Sequence, residues 1–458
     1  MMFLTQVAKA TGGSLVGLDA KIREVVTDTR SDCSGGLFIA LKGENFDAHE
    51  FIKQAEAAGA VALMVEKPVD TSLPSVQVKN TQDALGRLAK WWREQFDIPL
   101  MAITGSAGKT TVKEMLACIF ARLGEGVVTK GNLNNEIGVP ITLLRLRDHH
   151  KYAVIEMGMN HAGEIHRLSK MARPTVAMIN NAAAAHLEGL GSVSAVAQAK
   201  GEIFHGLQDE GVAVINLDDD YSDLWEQDTA SYKQVTFGLS NDADISAKYE
   251  AVNGIQKVEV NGLGEPCRFD LHAMGEHSVC NALAAATVAK VISVSADDVA
   301  RGLATFRPVQ GRLEIEEIGE SILIDDTYNA NPASMKAAID VLATYLNSIL
   351  IVGDMAELGK SAEQEHRSLG AYAQFKGIKQ VYACGVYAKR VVDAFAGQGT
   401  AYSDQKTLLS ELPSLLERQT LPIAVLVKGS RSARMERVIK LARDFFAGSS
   451  RAEVSDAV

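Results

Sequence analysis

Four short apolar runs, each closed by a polar residue, recur between positions 100 and 216: LMAIT (100–104), YAVIE (152–156), TVAMIN (175–180) and GVAVIN (211–216). Helical spacing fills the stretches between several of them. Runs this short and this continuously apolar are buried on both faces, so they dictate a mostly parallel sheet covered by helices. A second series follows RPVQGR (307–312), with SILIDD (321–326), SILIVG (348–353), QVYACG (380–385) and IAVLVKG (423–429) as strands. Asn331-Pro332 opens one of its helices favourably, a side-chain cap followed by proline at the first helical position. The segment 243–271 alternates differently and reads as an antiparallel insertion, and an alanine-rich helix is expected over 281–294. Upstream, LFIAL (37–41) and VALMV (61–65) read as strands around a short helix through Phe51, Ala55 and Ala58. A helix over 83–96 then leads to Pro99.

The most specific local signal is ITGSAGKTT, Ile103 to Thr111, between a strand and a helix. Gly105 and Gly108 reach backbone angles closed to other residues, so successive N–H groups can converge on an anion. The residues Gly105, Ser106, Ala107, Gly108, Lys109, Thr110 and Thr111 are the candidate phosphate cradle. Lys109 would meet the terminal phosphates and Thr110 a Mg²⁺ ion, with the helix N-terminus adding its positive end. Ile103 stands where the full GxxxxGK[ST] pattern has its first glycine. At 458 residues the chain exceeds one compact core. The expected fold is α/β in three domains. These are a small N-terminal α/β domain (1–82), a central P-loop parallel-sheet ATPase domain (83–312) and a C-terminal Rossmann-like α/β domain (313–458).

A nucleotide site alone does not choose between motor, switch, kinase and ligase. Glu156, closing a buried strand, suits Mg²⁺ coordination; a switch GTPase would more often carry an Asp in a DxxG motif. Read as a residue alone, His186 could ligate a metal, bond a phosphate or sit in the core, and Lys200, at an expected helix start, could simply be solvated. Composition narrows the field. Apolar residues are 47% and charged residues 22%, which excludes wholesale disorder. The net charge of −11 argues against a general nucleic-acid or anionic-membrane binder while leaving room for a local anion pocket. Five dispersed cysteines without CxxC spacing read as reduced thiols. No signal-peptide pattern and no apolar run of about 18 residues is present, so a cytoplasmic protein without membrane insertion is expected.

Together these segments resemble the Mur ligase family, in order and over nearly the whole chain. The carriers are TDTRS (27–31), SGGLFIALKGENFDAHEF (34–51), TGSAGKTT, KGNLNNEIGVP (130–140), EMGMNHAGEI (156–165), AHLEGLGS (185–192), AKGEIF (199–204), GEHSVCNALAAAT (275–287), GRLE (311–314), DDTYNANPASM (325–335), GDMAELG (353–359) and VKGSRSARMERV (427–438). The resemblance implies an ATP-dependent amide ligase working through an acyl phosphate. The last two segments point to the branch that adds D-alanyl-D-alanine to UDP-N-acetylmuramoyl-tripeptide. It implies ATP contacts from Asn281 near the adenine and from Arg312 and Asp326, and two Mg²⁺ sites held by Thr110, Glu156, His186 and a carbamylated Lys200. The catalytic set is then Lys109, Glu156, His186 and Lys200. It assigns Thr29 and Arg30 to the nucleotide substrate and Asn329, Lys428 and Arg431 to substrate binding. Asp28 and Arg434 stand beside those groups, and Asp354 and Glu357 divide between substrate contact and helix capping. The partners it implies are small molecules, met by a monomer.

Overall fold

The structure, a computed structural model, describes residues 1–43, 46–240, 242–252 and 254–456. Residues 44 and 45 of the 34–51 segment therefore lie outside the described residues. The N-terminal unit is a five-stranded sheet in the order Ser14–Val16, Ser75–Gln77, Ala62–Val65, Gly36–Ile39, Glu24–Val26, parallel except at its first pairing. Its helix through Phe51 is a 3-10 turn, Ala48–Phe51, continuing as Ile52–Ala57. The expected helix at 83–96 instead runs Thr81–Arg93, because Asn80 caps it by accepting from Asp83 N–H at 2.8 Å. That helix joins two units. Thr81 Oγ1 donates to Ala40 O of the first sheet, while Trp92 Nε1 donates to Leu146 O and Arg93 Nε to Ala172 O beyond it.

The central sheet has nine strands. Its core is β1 (Leu100–Thr104) flanked by two parallel neighbours, β2 (Ala153–Glu156) and β3 (Val176–Ile179). Next to β3 lies β4 (Val212–Asn216), also parallel. Helix α1 (Lys109–Phe120) follows β1 and buries Val112, Met115, Leu116, Ile119 and Phe120. Leu123 shares their spacing but is 41% exposed, since the helix ends before it. The segment 243–271 does form antiparallel hairpins, Ile245–Val252, Ile255–Asn261 and Cys267–Leu271, which extend the same sheet at one edge. The alanine-rich helix α3 (Glu276–Val291), preceded by α2 (Val193–Gly201) in the chain, begins five residues earlier than its composition suggests. It is apolar all round and buried between layers, as its alanines permit.

The C-terminal sheet of six strands contains β5 (Ser321–Asp326), β6 (Ser348–Gly353), β7 (Gln380–Cys384) and β8 (Ala424–Lys428), all parallel, with β8 between β5 and β6. Glu314–Ile318 forms an antiparallel edge. Helix α4 (Pro332–Leu342) starts with the expected cap, Asn331 Oδ1 accepting from Ser334 N–H at 2.8 Å.

Candidate active site

The chain leaves β1 at Thr104 and turns through Gly105–Gly108 into α1. Gly108 has φ +78°, and a Cβ there would lie 2.2 Å from Asn281 Oδ1 and 2.4 Å from Asn180 Nδ2. Only glycine meets both demands. Because β3 runs parallel beside β1, the two asparagines that follow it arrive next to the loop. Ser106 N–H donates to Asn181 O at 3.0 Å and Ala107 N–H to Asn181 Oδ1 at 2.9 Å. Asn180 Nδ2 donates to Ala107 O at 3.0 Å and to Asn281 Oδ1 at 2.8 Å. Asn281, expected at the adenine, is thus 5% exposed and engaged beneath the loop. The reason is the early start of α3, which brings Asn281 to its second turn.

The loop leaves the first-turn N–H groups of α1 without intrahelical acceptors, an arrangement suited to receiving an anion. Lys109 curls back, its Nζ donating to Gly105 O at 2.5 Å. Desolvation lowers its pKa, with Glu156 opposing. Thr110 Oγ1 donates to Glu156 Oε2 at 2.8 Å, and Asn134 Nδ2 donates to Oε1 at 2.8 Å. Glu156 is 2% exposed and forms no salt bridge among the described residues. A hydroxyl and an unpaired buried carboxylate beside an anion cradle form a hard-oxygen donor set, which fits Mg²⁺.

Lys200 lies in the last turn of α2, not at a helix start, because Ser192 caps the other end by accepting from Ala195 N–H. The turn continues as 3-10 helix Glu202–Gly206. Lys200 is 1% exposed and its Nζ makes no hydrogen bond among the described residues. Its ammonium is strongly disfavoured, first by desolvation and then by the charge of Lys109, with Asp219 opposing. Such an orphaned amine fits carbamylation, which needs a neutral nitrogen and converts it into an anionic metal donor. His186 precedes the short helix Leu187–Leu190 in a left-handed conformation, φ +55°. Its enclosed Nδ1 lies 2.7 Å from Glu357 Oε2, a contact not well aligned for a hydrogen bond, and has no other partner among the described residues.

The carboxyl ends of the C-terminal strands face this centre. Asn331, besides capping α4, donates from Nδ2 to Ser106 O at 3.1 Å. Asp326 and Lys428, in register on β5 and β8, form a buried pair at 2.6 Å. Lys428 also donates to Asn329 O at 2.8 Å. Its ammonium therefore answers Asp326 in this structure. Arg312 stacks on the Tyr328 ring, 4.0 Å from its centroid. Arg431 is exposed on a 3-10 turn, Arg431–Ala433, and its backbone N–H approaches Asn329 Oδ1 at 3.4 Å. Arg434, also exposed, follows with φ +51°. Asp354 accepts from Val386 and Tyr387 N–H at 2.7 and 3.1 Å, which is a loop-capping role.

Thr29 and Arg30 are not brought to this centre. Arg30 is exposed and paired with Asp28, whose carboxyl it holds down at about 2. Thr29 Oγ1 donates weakly to Gln54 Oε1 at 3.4 Å. The chain neighbours of Thr29 and Arg30, namely Thr27, Asp28 and Ser31, line a cavity of about 290 Å³ between the first two units, together with Ile141 and Arg145 among others. Sequence reasoning missed Asn134, Asn180, Asn181, Asp219 and the second role of Asn331. The signal available was position, since polar residues directly after parallel strands line ligand crevices.

Family models match in three segments: the Mur ligase family catalytic domain over 21–93, the Mur ligase middle domain over 103–289 and the Mur ligase glutamate ligase domain over 311–431. The chain is 43% identical to the UDP-N-acetylmuramoyl-tripeptide–D-alanyl-D-alanine ligase of Escherichia coli, covering 95% of this chain and 97% of that one. It is 33% identical to the enzyme of the same name from Bacillus subtilis, over 92% and 93%. Among solved structures, MurF from Acinetobacter baumannii superposes with TM-score 0.91 at 36% identity, covering 96% and 98%. MurF from Thermotoga maritima in complex with ADP gives 0.81 at 27%, covering 93% and 98%.

Proposed function

The chain belongs to the Mur ligase family, and from that premise we propose that it joins D-alanyl-D-alanine to UDP-N-acetylmuramoyl-tripeptide, using ATP and releasing ADP and phosphate. The observation that carries this reading is Thr110 and Glu156 held 2.8 Å apart under the glycine loop, with Asn331 of the C-terminal unit reaching Ser106.

A carboxylate resists an amine because its charge repels nucleophiles and oxide does not leave. The tripeptide carboxylate oxygen attacks the γ-phosphorus, the bridging P–O bond breaks, and ADP departs. The neutral amine of the dipeptide then attacks the acyl carbon, phosphate leaves and a proton is lost. Gly105 to Thr111 cradle the phosphates and Lys109 neutralises charge at the transferring group. Thr110 and Glu156 would hold one Mg²⁺ and His186 with carbamylated Lys200 a second, and the bound ions would supply neutralisation of the negative charge that builds up during transfer. Lys200 acquires its carbamate when its neutral nitrogen adds to CO₂ and loses a proton. Arg312 and Asp326 meet the nucleotide, Asn281 approaches the adenine while bracing the loop, and Asn329, Lys428 and Arg431 serve substrate binding. Thr29 and Arg30 serve the uridine end, beside the interdomain cavity. The reaction belongs to the cytoplasm, where ATP is abundant and thiols stay reduced.

Mass spectrometry of a mixture of UDP-N-acetylmuramoyl-tripeptide, D-alanyl-D-alanine, ATP and Mg²⁺ tests this. A product heavier by one dipeptide residue pair is expected, formed roughly 100- to 1,000-fold more slowly by Lys109→Ala. Product with D-Glu, meso-diaminopimelate or L-Lys instead, or ADP without any amine, would overturn the assignment.

A further inference from the structure

His186 and Glu357 come from different domains, yet they meet as the tips of two loops that are both in the left-handed region, at φ +55° and +63°. Non-glycine residues occupy that region only where their surroundings hold them there, and such positions cluster at functional sites. Here the holding is mutual. Glu188 N–H donates to Glu357 O at 3.1 Å, and Gly359, φ +53°, brings its backbone against Glu188, where a Cβ would lie 3.3 Å from Glu188 Cα. The side chains complete the junction, with His186 Nδ1 2.7 Å from Glu357 Oε2 and enclosed from solvent.

We propose that Glu357 is a positioning residue for His186, supplied by the C-terminal domain. The argument rests on the reading of His186 as a metal ligand. An imidazole binds a metal through one nitrogen only if the other carries the proton, and a carboxylate against that second nitrogen fixes the tautomer and the ring plane. Glu357 occupies that place at Nδ1, which leaves Nε2 as the ligand nitrogen. The imperfect alignment of the Nδ1–Oε2 contact is what a site awaiting its ligands shows, since such bonds tighten in the loaded complex. The consequence is a coupling. The second metal site is complete only when the C-terminal domain is seated on the central one, so the domain that carries the incoming amine also completes the site. Acyl phosphate chemistry is thereby tied to the closed arrangement.

Mn²⁺ titration followed by electron paramagnetic resonance, on the full chain with a non-hydrolysable ATP analogue and UDP-N-acetylmuramoyl-tripeptide, tests this. Glu357→Ala should weaken the second Mn²⁺ by about 10- to 100-fold and leave the first Mn²⁺ and the nucleotide affinity unchanged. The isosteric Glu357→Gln, which keeps an acceptor oxygen, should fall between that variant and the unaltered protein. The double variant His186→Ala/Glu357→Ala should be no weaker than His186→Ala alone. If both Glu357 variants titrate like the unaltered protein while His186→Ala loses the second ion, the positioning role is wrong and the ligand reading stands. If the unaltered protein takes up one ion only, and His186→Ala changes nothing, the ligand reading fails and takes the proposal with it.

Discussion

Gly108 illustrates how one residue can carry two requirements at once. Its positive φ makes the turn, and its missing Cβ admits the Asn180–Asn281 pair that floors the loop. Gly108→Ala should therefore destabilise the protein by roughly 1–3 kcal/mol, read from denaturant unfolding, and should abolish nucleotide binding by fluorescence titration. A second residue-scale case lies in the N-terminal unit. Asp47 caps a 3-10 turn by accepting from His49 N–H at 3.0 Å, and it also meets His49 Nδ1 and Lys67. The backbone N–H of His49, ahead of the His49 ring and Lys67, lowers its carboxyl to about 2 from an ordinary 3.8. A depressed folded-state pKa contributes stability that is fully present above the unfolded value and is lost as pH falls through the folded one. Stability should thus decline between about pH 4 and pH 2, and Asp47→Asn should flatten that part of an acid-unfolding curve followed by circular dichroism.

Among the elements, α4 is the one whose end does two jobs. Asn331 caps it through Oδ1 and ties it to the phosphate loop through Nδ2. The two roles separate cleanly. Asn331→Asp keeps the capping oxygen and loses the donor, so melting temperature should hold while the KM for ATP rises. Asn331→Ala removes both and should add a loss of about 1 kcal/mol. Equal melting temperatures for Asp and Ala variants would count against the cap. The same logic explains why helix limits were imperfectly legible. The start at Thr81 depended on the Asn80 cap, whereas the start at Glu276 follows Gly275 and left no capping residue to read. Lys200 was placed at the wrong end of its helix because AKGEIF reads like an opening, while the capping serine stands eight residues upstream.

For the whole molecule, the polar contacts between the central and C-terminal units among the described residues are few, and they include Asn331 to Ser106, Glu188 to Glu357, His186 to Glu357 and Tyr328 to Gly311. Interfaces of that kind open readily, and closure around ligands would exclude water from a hydrolysable acyl phosphate. Small-angle scattering should show a larger radius of gyration for Asn331→Ala/Glu357→Ala than for the unaltered protein without ligands. Addition of ATP analogue and nucleotide substrate should compact the unaltered protein. An identical radius in all states would exclude these contacts as the latch.

Strand positions, the phosphate loop and the α/β class were set by the sequence itself, because burial on both faces demands continuous apolar runs and a tight anion loop demands glycine where φ is positive. LMAIT, SILIDD and GSAGKT needed no partner to be read. What only the tertiary structure decided is which distant groups meet: Asn180 under Gly108, Asn331 on Ser106, Lys428 on Asp326, Glu357 on His186. Those pairings depend on strand order and on how one domain sits against another, and no local preference of the chain encodes either.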